Sequence, residues 1–368
     1  MRSVKELLIE NGFNQTFVVD GCTSIEHLIP LRQRCGIYIL HLPNNMYYVG
    51  QSKDVTKRYV QHLKNYKVIE RISFKRVKRE KAFLDEEEVK MIRLFEVNGI
   101  PVFNIVHTSV TYRSSEFDII MPPVQQKKWV SELSWEDTVG ERVDNLEIRR
   151  KYTNRYNDRL IRMPYAQDAI RVLSSYIRGT VPAVKQGESE YWVCSCLPVS
   201  RVFYRVNINW QEVLTAWLDE DSPYFSFHLA LSPLDCGSSL KTLFAKHPTL
   251  TLLADETWDD DESVGGFIAD IIKSPEFEIS SEHTKDLHKT LSLLFDKYPH
   301  MMIQNHRYEP GGQDQVRCIV QGAEDAIALI KDLQFRQGMR LCNLELMKKG
   351  RCNWTKNHCF DLADNIFK

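Results

Sequence analysis

Tyr38, Tyr48, Arg58, His62, Glu88 and Asn104 follow one another in an order that suits hydrolysis of a phosphodiester. Tyr38 closes the run Gly36-Ile37-Tyr38, and Tyr48 opens the run Tyr48-Val49-Gly50. In-line hydrolysis needs an activated water, a cation on the charge that develops at phosphorus, and a carboxylate to hold a hard metal. Arg58 can supply the cation, Glu88 a ligand for Mg²⁺ or Mn²⁺, and Tyr48 or His62 the proton-handling group. A tyrosine with its ordinary pKa of about 10 is a poor base, so that role requires the metal or a basic neighbour to favour the phenolate.

The elements that must position these groups are readable from pattern. Gly36-Ile37-Tyr38-Ile39-Leu40 and Tyr47-Tyr48-Val49-Gly50 are β-branched and aromatic runs separated by Pro43-Asn44-Asn45, which predicts a β-hairpin. Strand alternation places Tyr38 on the face opposite Ile37 and Ile39, and Gly50 allows a close approach. The run from Asp54 to Leu63 predicts a helix with Arg58 and His62 four apart on one face. A second helix is predicted over Phe83–Val97, with Glu88 on a face shared by Met91, Ile92 and Phe95. Gly99-Ile100-Pro101 ends it, and Val102 to Val106 is expected to return as a strand.

With these motifs in this order, residues 34–107 resemble the GIY-YIG nuclease family. The resemblance implies a small three-stranded mixed sheet flanked by helices. It places the two family tyrosines on Tyr38 and Tyr48, the arginine on Arg58, the His or Tyr one turn later on His62, the metal-binding glutamate on Glu88 and the closing asparagine on Asn104. Tyr48 then inherits the role of base, and Glu88 that of holding a single divalent metal, Mg²⁺ or Mn²⁺. Within Asp85-Glu86-Glu87-Glu88 the choice of Glu88 rests on register, because the family pattern has an isoleucine four positions on and Ile92 satisfies it. Val49 stands for isoleucine in the second motif. Gln51 stands where several members carry a lysine, and Lys53 is the neighbouring positive charge that could take its place.

Taken singly, each residue has a plainer explanation: a core strand for Gly36 and Tyr38, a solvated helix face for Arg58 and His62, an acidic first helical turn for Glu88. Only their joint order singles them out.

Charge favours a polyanion locally. The chain is balanced, with 48 Lys+Arg against 49 Asp+Glu. Between Lys53 and Lys81, however, eleven basic residues face three acids, a net of +8. Gln51, Lys53, Lys57, Lys64, Lys75, Arg76, Lys78 and Arg79 are the candidate nucleic-acid contacts in this stretch. DNA is the expected substrate because the resemblance points that way; no residue distinguishes the sugars, so RNA stays open.

The chain has 368 residues, 43% of them hydrophobic, so the nuclease-like unit occupies about a fifth of a protein with room for further cores. No apolar run approaches a membrane span, the first residues lack a secretory hydrophobic segment, and nine cysteines without framework spacing suit reduced thiols; a cytoplasmic protein with no membrane partner is expected. The expected organisation is an N-terminal extension (1–33) with a short helix over Val4–Glu10 and a β element near Phe17-Val18-Val19, the nuclease-like domain (34–110), a linker with a basic helical segment (111–165), and an α+β targeting or partner-binding region (166–368). Within the linker, Ser114–Ser134 reads as a connector, and the run through Arg149, Arg150, Arg155, Arg159 and Arg162 as a solvated helix or a second phosphate-contacting surface.

In the last region Gln211–Leu218 is expected as a helix and Met339–Leu346 as a strand, which would give two strand, strand, helix, strand units. Cys342, Cys352, His358 and Cys359 lack paired zinc spacing, and the acidic run Asp255–Glu262 reads as an exposed loop. The class is α+β throughout. The expected function is a metal-dependent DNA endonuclease, with a role in phage defence or restriction by analogy. One active site would cut one strand, so double-strand cleavage calls for a homo-oligomer or sequential nicks, and an activating protein partner is a further expectation. The competing reading is a non-catalytic module of the same fold that binds nucleic acid or protein.

Overall fold

The computed structural model describes residues 3–77, 80–104, 107–112, 114–134, 140–142, 145–196, 199–246, 251–253, 291, 293–306, 308–312 and 314–368. Lys78 and Arg79, the end of the strand expected over Val102–Val106, and the acidic run Asp255–Glu262 lie outside them. The protein is mixed helix and sheet and divides into two compact units, Met1–Arg113 and Ser114–Lys368.

In the first unit, helix α1 (Val4–Glu10) opens on a capping box, in which Ser3 and Glu6 satisfy one another's backbone N–H groups. Strand β1 (Gln15–Val18) follows, then β2 (Gly36–Leu42) and β3 (Met46–Ser52), joined by a turn in which Asn44 and Asn45 take positive φ. Asparagine tolerates that conformation better than other non-glycine residues. Helix α2 (Val55–Asn65) is capped by Asp54, whose side chain accepts from the backbone N–H groups of Thr56 and Lys57. Strand β4 (Arg71–Arg76) and helix α3 (Lys81–Val97) complete the unit.

Among the described residues the sheet has four strands, not three, in the order β1-β4-β2-β3, and every pair of these strands is antiparallel. The extra strand comes from the segment expected as an N-terminal extension. The strand expected from Val102 is reduced, among the described residues, to an isolated parallel bridge between Val102 and Tyr47. Both faces of the sheet are covered. Ile37, Ile39 and Val49 pack with Leu84, Met91, Ile92 and Phe95 of α3, while Tyr38, Leu40 and Ile72 pack with Val55 and Tyr59 of α2. Period-two alternation therefore sorts the hairpin into one face toward each helix.

The second unit is built on one antiparallel sheet of seven strands. These are Trp192–Ser195, Val202–Ile208, Gln211–Asp219, Ser222–Leu229, Thr251–Leu253, Met301–Gln304 and Val316–Gln321, labelled β5 to β11 in chain order. Across the sheet they run β5-β6-β7-β8-β11-β10-β9. Gln211–Leu218 is thus a strand rather than a helix: pairing with β6 and β8 on both sides overrides a helix-favouring composition. Met339–Leu346 lies inside a helix, Leu333–Lys348, whose cap is the Asp332 carboxylate. These two reversals remove the expected internal repeat.

The expected connector also folds. Phe117, Met121 and Trp129, from helices α4 (Phe117–Ile120) and α5 (Pro123–Ser131) and the link between them, are buried in the core of this unit. Arg340, itself buried, stacks on the Trp129 ring and donates to the carbonyls of Gly179 and Glu132 at 2.8 and 2.9 Å. A buried guanidinium is tolerated there because carbonyl oxygens meet its donors.

The basic segment forms α6 (Leu146–Asp158), and Arg149 is committed to Asp361 and Asp364 at 2.8 Å each, which argues against a free phosphate-contacting face at that residue. Two of the four residues considered for zinc are engaged elsewhere: His358 pairs with Glu188 at 3.0 Å, and the Cys352 thiol donates to the Asn207 carbonyl at 3.5 Å. All nine cysteines are free thiols. No described helix is long and apolar enough to cross a membrane.

Candidate active site

The hairpin register sets the first part of the site. Tyr38 lies opposite Gly50, and Tyr48 opposite Leu40, so both tyrosines project from the sheet face that α2 covers. Their crowding explains Gly50: a Cβ there would overlap the Tyr38 hydroxyl and press on the Tyr48 ring. Gly36 has a similar reason, since a Cβ would collide with the backbone carbonyl of Lys75 on β4.

Helix α2 brings Arg58 and His62 to the same place. The Tyr38 hydroxyl and His62 Nε2 are 2.7 Å apart in a buried setting. The Tyr48 ring lies 4.6 Å from the imidazole, centroid to centroid, and the Tyr66 ring stacks on the imidazole at 5.6 Å. Burial, helped by the nearby Arg58 charge, pulls His62 down to about 4, so the imidazole is neutral at neutral pH. Its Nδ1 is buried and, among the described residues, has no hydrogen-bond partner.

Burial also raises both tyrosines. Tyr38 is pushed far up, chiefly by desolvation and then by Tyr48; Tyr48 is raised by desolvation and then by Glu88. Arg58 opposes both shifts, and its own pKa is raised foremost by the Tyr38 hydroxyl. Its Nη1 also donates to Gln61 at 2.7 Å. Arg58 is exposed, so it combines access to a ligand with proximity to the two phenols.

Glu88 reaches the site from α3. It is half-buried, and desolvation raises its pKa, with Asp85 adding to the rise and Gln51 and Arg58 opposing it. Gln51 Nε2 donates to Glu88 Oε2 at 2.9 Å and also to Asp85 Oδ1, so one amide sits between two carboxylates. Turning that amide about its end would present Oε1 instead, giving an all-oxygen donor set of Glu88, Asp85 and Gln51. Such a set fits a hard cation that keeps several waters, as Mg²⁺ does. Among the described residues no group of three or more His, Cys, Asp or Glu side chains stands ready to enclose a metal, so water would have to fill much of the coordination shell.

Asn104 has a different place. Its side chain accepts from the backbone N–H of Val49 at 2.9 Å and donates to the Val49 carbonyl at 2.7 Å. It pairs the outer edge of β3 beside Tyr48.

The candidate nucleic-acid residues divide. Lys53, Lys57, Lys64 and Arg76 are exposed, whereas Lys75 is tied to Glu87 of α3 at 2.5 Å. Lys78 and Arg79 lie outside the described residues, and Gln51 is engaged with the two carboxylates. Two neighbours escape the sequence reading as site residues. Asp85 precedes Glu88 by three positions and Tyr66 follows His62 by four, and both are ordinary helical-turn spacings that could have pointed to them.

No protein-family model, curated protein or solved structure matches this chain.

Proposed function

We propose that the first unit is a metal-dependent endonuclease acting on DNA, serving defence or restriction against invading DNA. The observation that carries this reading is the meeting of Tyr38, Tyr48, Arg58 and His62 on one sheet face, with Glu88 electrostatically coupled to both tyrosines.

In this mechanism Arg58 engages the scissile phosphate and offsets the charge that grows on its oxygens. Tyr48, a neutral phenol, takes a proton from the attacking water as its own hydroxyl proton passes to the adjoining Tyr38 and the Tyr38 proton passes to His62 Nε2, which ends as the imidazolium. Tyr66 and the sheet exclude water from the imidazole. Glu88, with Asp85 and the Gln51 amide oxygen, would hold Mg²⁺ or Mn²⁺, which when bound supplies charge stabilisation and lowers the pKa of water. The exposed Lys53, Lys57, Lys64 and Arg76 would contact backbone phosphates without reading sequence.

The test is incubation of the full chain and Glu88→Ala with supercoiled plasmid in Mg²⁺, Mn²⁺ or EDTA. Metal-dependent conversion to nicked circles, lost in the variant, is the expected result. DNA binding with no cutting by the wild type under any metal would overturn the reading in favour of a binding module.

A further inference from the structure

The second unit contains a cleft that nothing in the nuclease reading uses. Helix α7 (Ala166–Thr180) lies beside the helix Ala323–Lys331, and between them is a cavity of about 420 Å³. Arg171, Ser174, Ser175 and Arg178 of α7 line it together with Lys331 and Arg336. The four from α7 stand at helical spacing on one face, while Val172, Leu173, Tyr176 and Ile177 of the same helix enter the core. The hydrophilic stripe of α7 is therefore concentrated against a concave surface.

Among the described residues, four cationic side chains and no acid line this cleft. Arg171 is steadied at 3.2 Å by Asp168 and at 3.0 Å by Glu324, which lie outside the lining, and Arg336 Nε donates to the Gly179 carbonyl at 3.1 Å. Those contacts orient the two guanidinium groups, each a fork of five N–H donors. Ser174 and Ser175 add two half-buried hydroxyls, and Ile327 one partly buried apolar wall. The volume falls within the range of small-molecule sites.

Guanidinium forks and a lysine match phosphate oxygens in geometry and charge. Arg171 is shared with Asp168 and Glu324, and a neutral or cationic ligand would gain little from the excess positive charge of the lining. One carboxylate would engage only part of it. We infer that this cleft binds a small ligand carrying at least two phosphate groups, of the nucleoside polyphosphate class, with Ile327 against its non-phosphate part. The inference rests on the second unit alone and does not depend on cutting by the first.

Isothermal titration calorimetry of the full chain with inorganic triphosphate, a nucleoside triphosphate, citrate and a short DNA duplex tests it. Arg178→Glu and Lys331→Glu replace exposed residues of the cleft, and Lys127→Glu, exposed and outside the lining, is the control. The expected result is saturable binding of both triphosphates, weakened roughly tenfold or more in each cleft variant and unchanged in the control. Thermal melting without ligand should be alike for all four proteins, which separates lost binding from lost folding. Absence of triphosphate binding, equal binding by the cleft variants, or citrate binding as tight as triphosphate would each overturn the inference. So would loss of duplex binding in the cleft variants with no triphosphate binding by the wild type, since that pattern assigns the cleft to DNA backbone.

Discussion

The Tyr38 hydroxyl and His62 Nε2, 2.7 Å apart, join strand β2 to helix α2 inside the core of the first unit. Tyr38 is fully buried and His62 4% exposed, so water cannot replace either partner. Tyr38→Phe would leave both imidazole nitrogens unmatched, because Nδ1 already lacks a partner. We expect a loss of about 1–3 kcal/mol in chemical denaturation, the usual cost of stranding a buried polar group. In a double-mutant cycle with His62→Leu the two losses should fall short of additive, because the second substitution removes the stranded group. Strict additivity would show that the bond contributes nothing to stability.

Gly50→Ala probes the same crowding from the opposite strand. The new methyl would overlap the Tyr38 hydroxyl and the Tyr48 ring, and Tyr38, fully buried against α2, has little room to retreat. Overpacking of this type costs about 1–3 kcal/mol. The variant should melt lower and, on the nuclease reading, cut more slowly by at least about tenfold, since displacement of Tyr48 spoils positioning. Melting and nicking measured together check it; a variant that retains both would mean that the tyrosines move aside freely.

Much of this arrangement could be read before the fold was known, and the misses have physical causes. The β2 and β3 hairpin was legible because Pro43-Asn44-Asn45 interrupts two β-branched, aromatic runs, and α2 from the helical run that starts at Asp54. Strand β4 was not, because Arg71, Lys75 and Arg76 at its ends disguise the buried Ile72-Ser73-Phe74 centre and suggest a phosphate-binding surface. Lys75 in particular serves as an anchor for α3 through Glu87. In the second unit, Gln211–Leu218 carries helix-forming residues but is held as a strand by neighbours on both sides, a long-range effect that local pattern does not contain. Of the candidate site, the placing of Tyr38 and Tyr48 on neighbouring strands and of Arg58 and His62 one helical turn apart was legible. The hold of Gln51 on two carboxylates was not, because it joins β3 to a helix 34 and 37 positions away.

Asn104 offers a test of how the edge of β3 is held beside Tyr48. Its two bonds to Val49 satisfy a backbone N–H and C=O on the outer strand of the sheet. Asn104→Ala should expose or strand both groups at a cost of about 1–3 kcal/mol. Asn104→Asp keeps an acceptor for the Val49 N–H but sets a buried carboxylate oxygen against the Val49 carbonyl, and should cost at least as much as Ala. Hydrogen exchange at the Val49 amide should accelerate in the alanine variant. Unchanged exchange would show that β3 is held at that point by other contacts.

Acid should destabilise the first unit through histidine before carboxylates dominate. Burial pulls both His41 and His62 down to about 4, from the ordinary value near 6.5. The unfolded chain therefore binds more protons than the folded one between these values, and linkage makes stability rise with pH across that window. The histidine contribution is fully present above about pH 6.5 and is lost progressively toward pH 4, by up to about 3 kcal/mol for His62. Glu88 acts in the opposite direction: its raised pKa makes its burial less costly as it becomes protonated. Denaturation midpoints recorded from pH 7.5 to 4 should thus fall for the wild type and fall less for His62→Leu, which has no proton to gain there. Parallel curves for the two proteins would mean that His62 titrates alike in the folded and unfolded chains, and that its buried contact with Tyr38 does not keep it neutral.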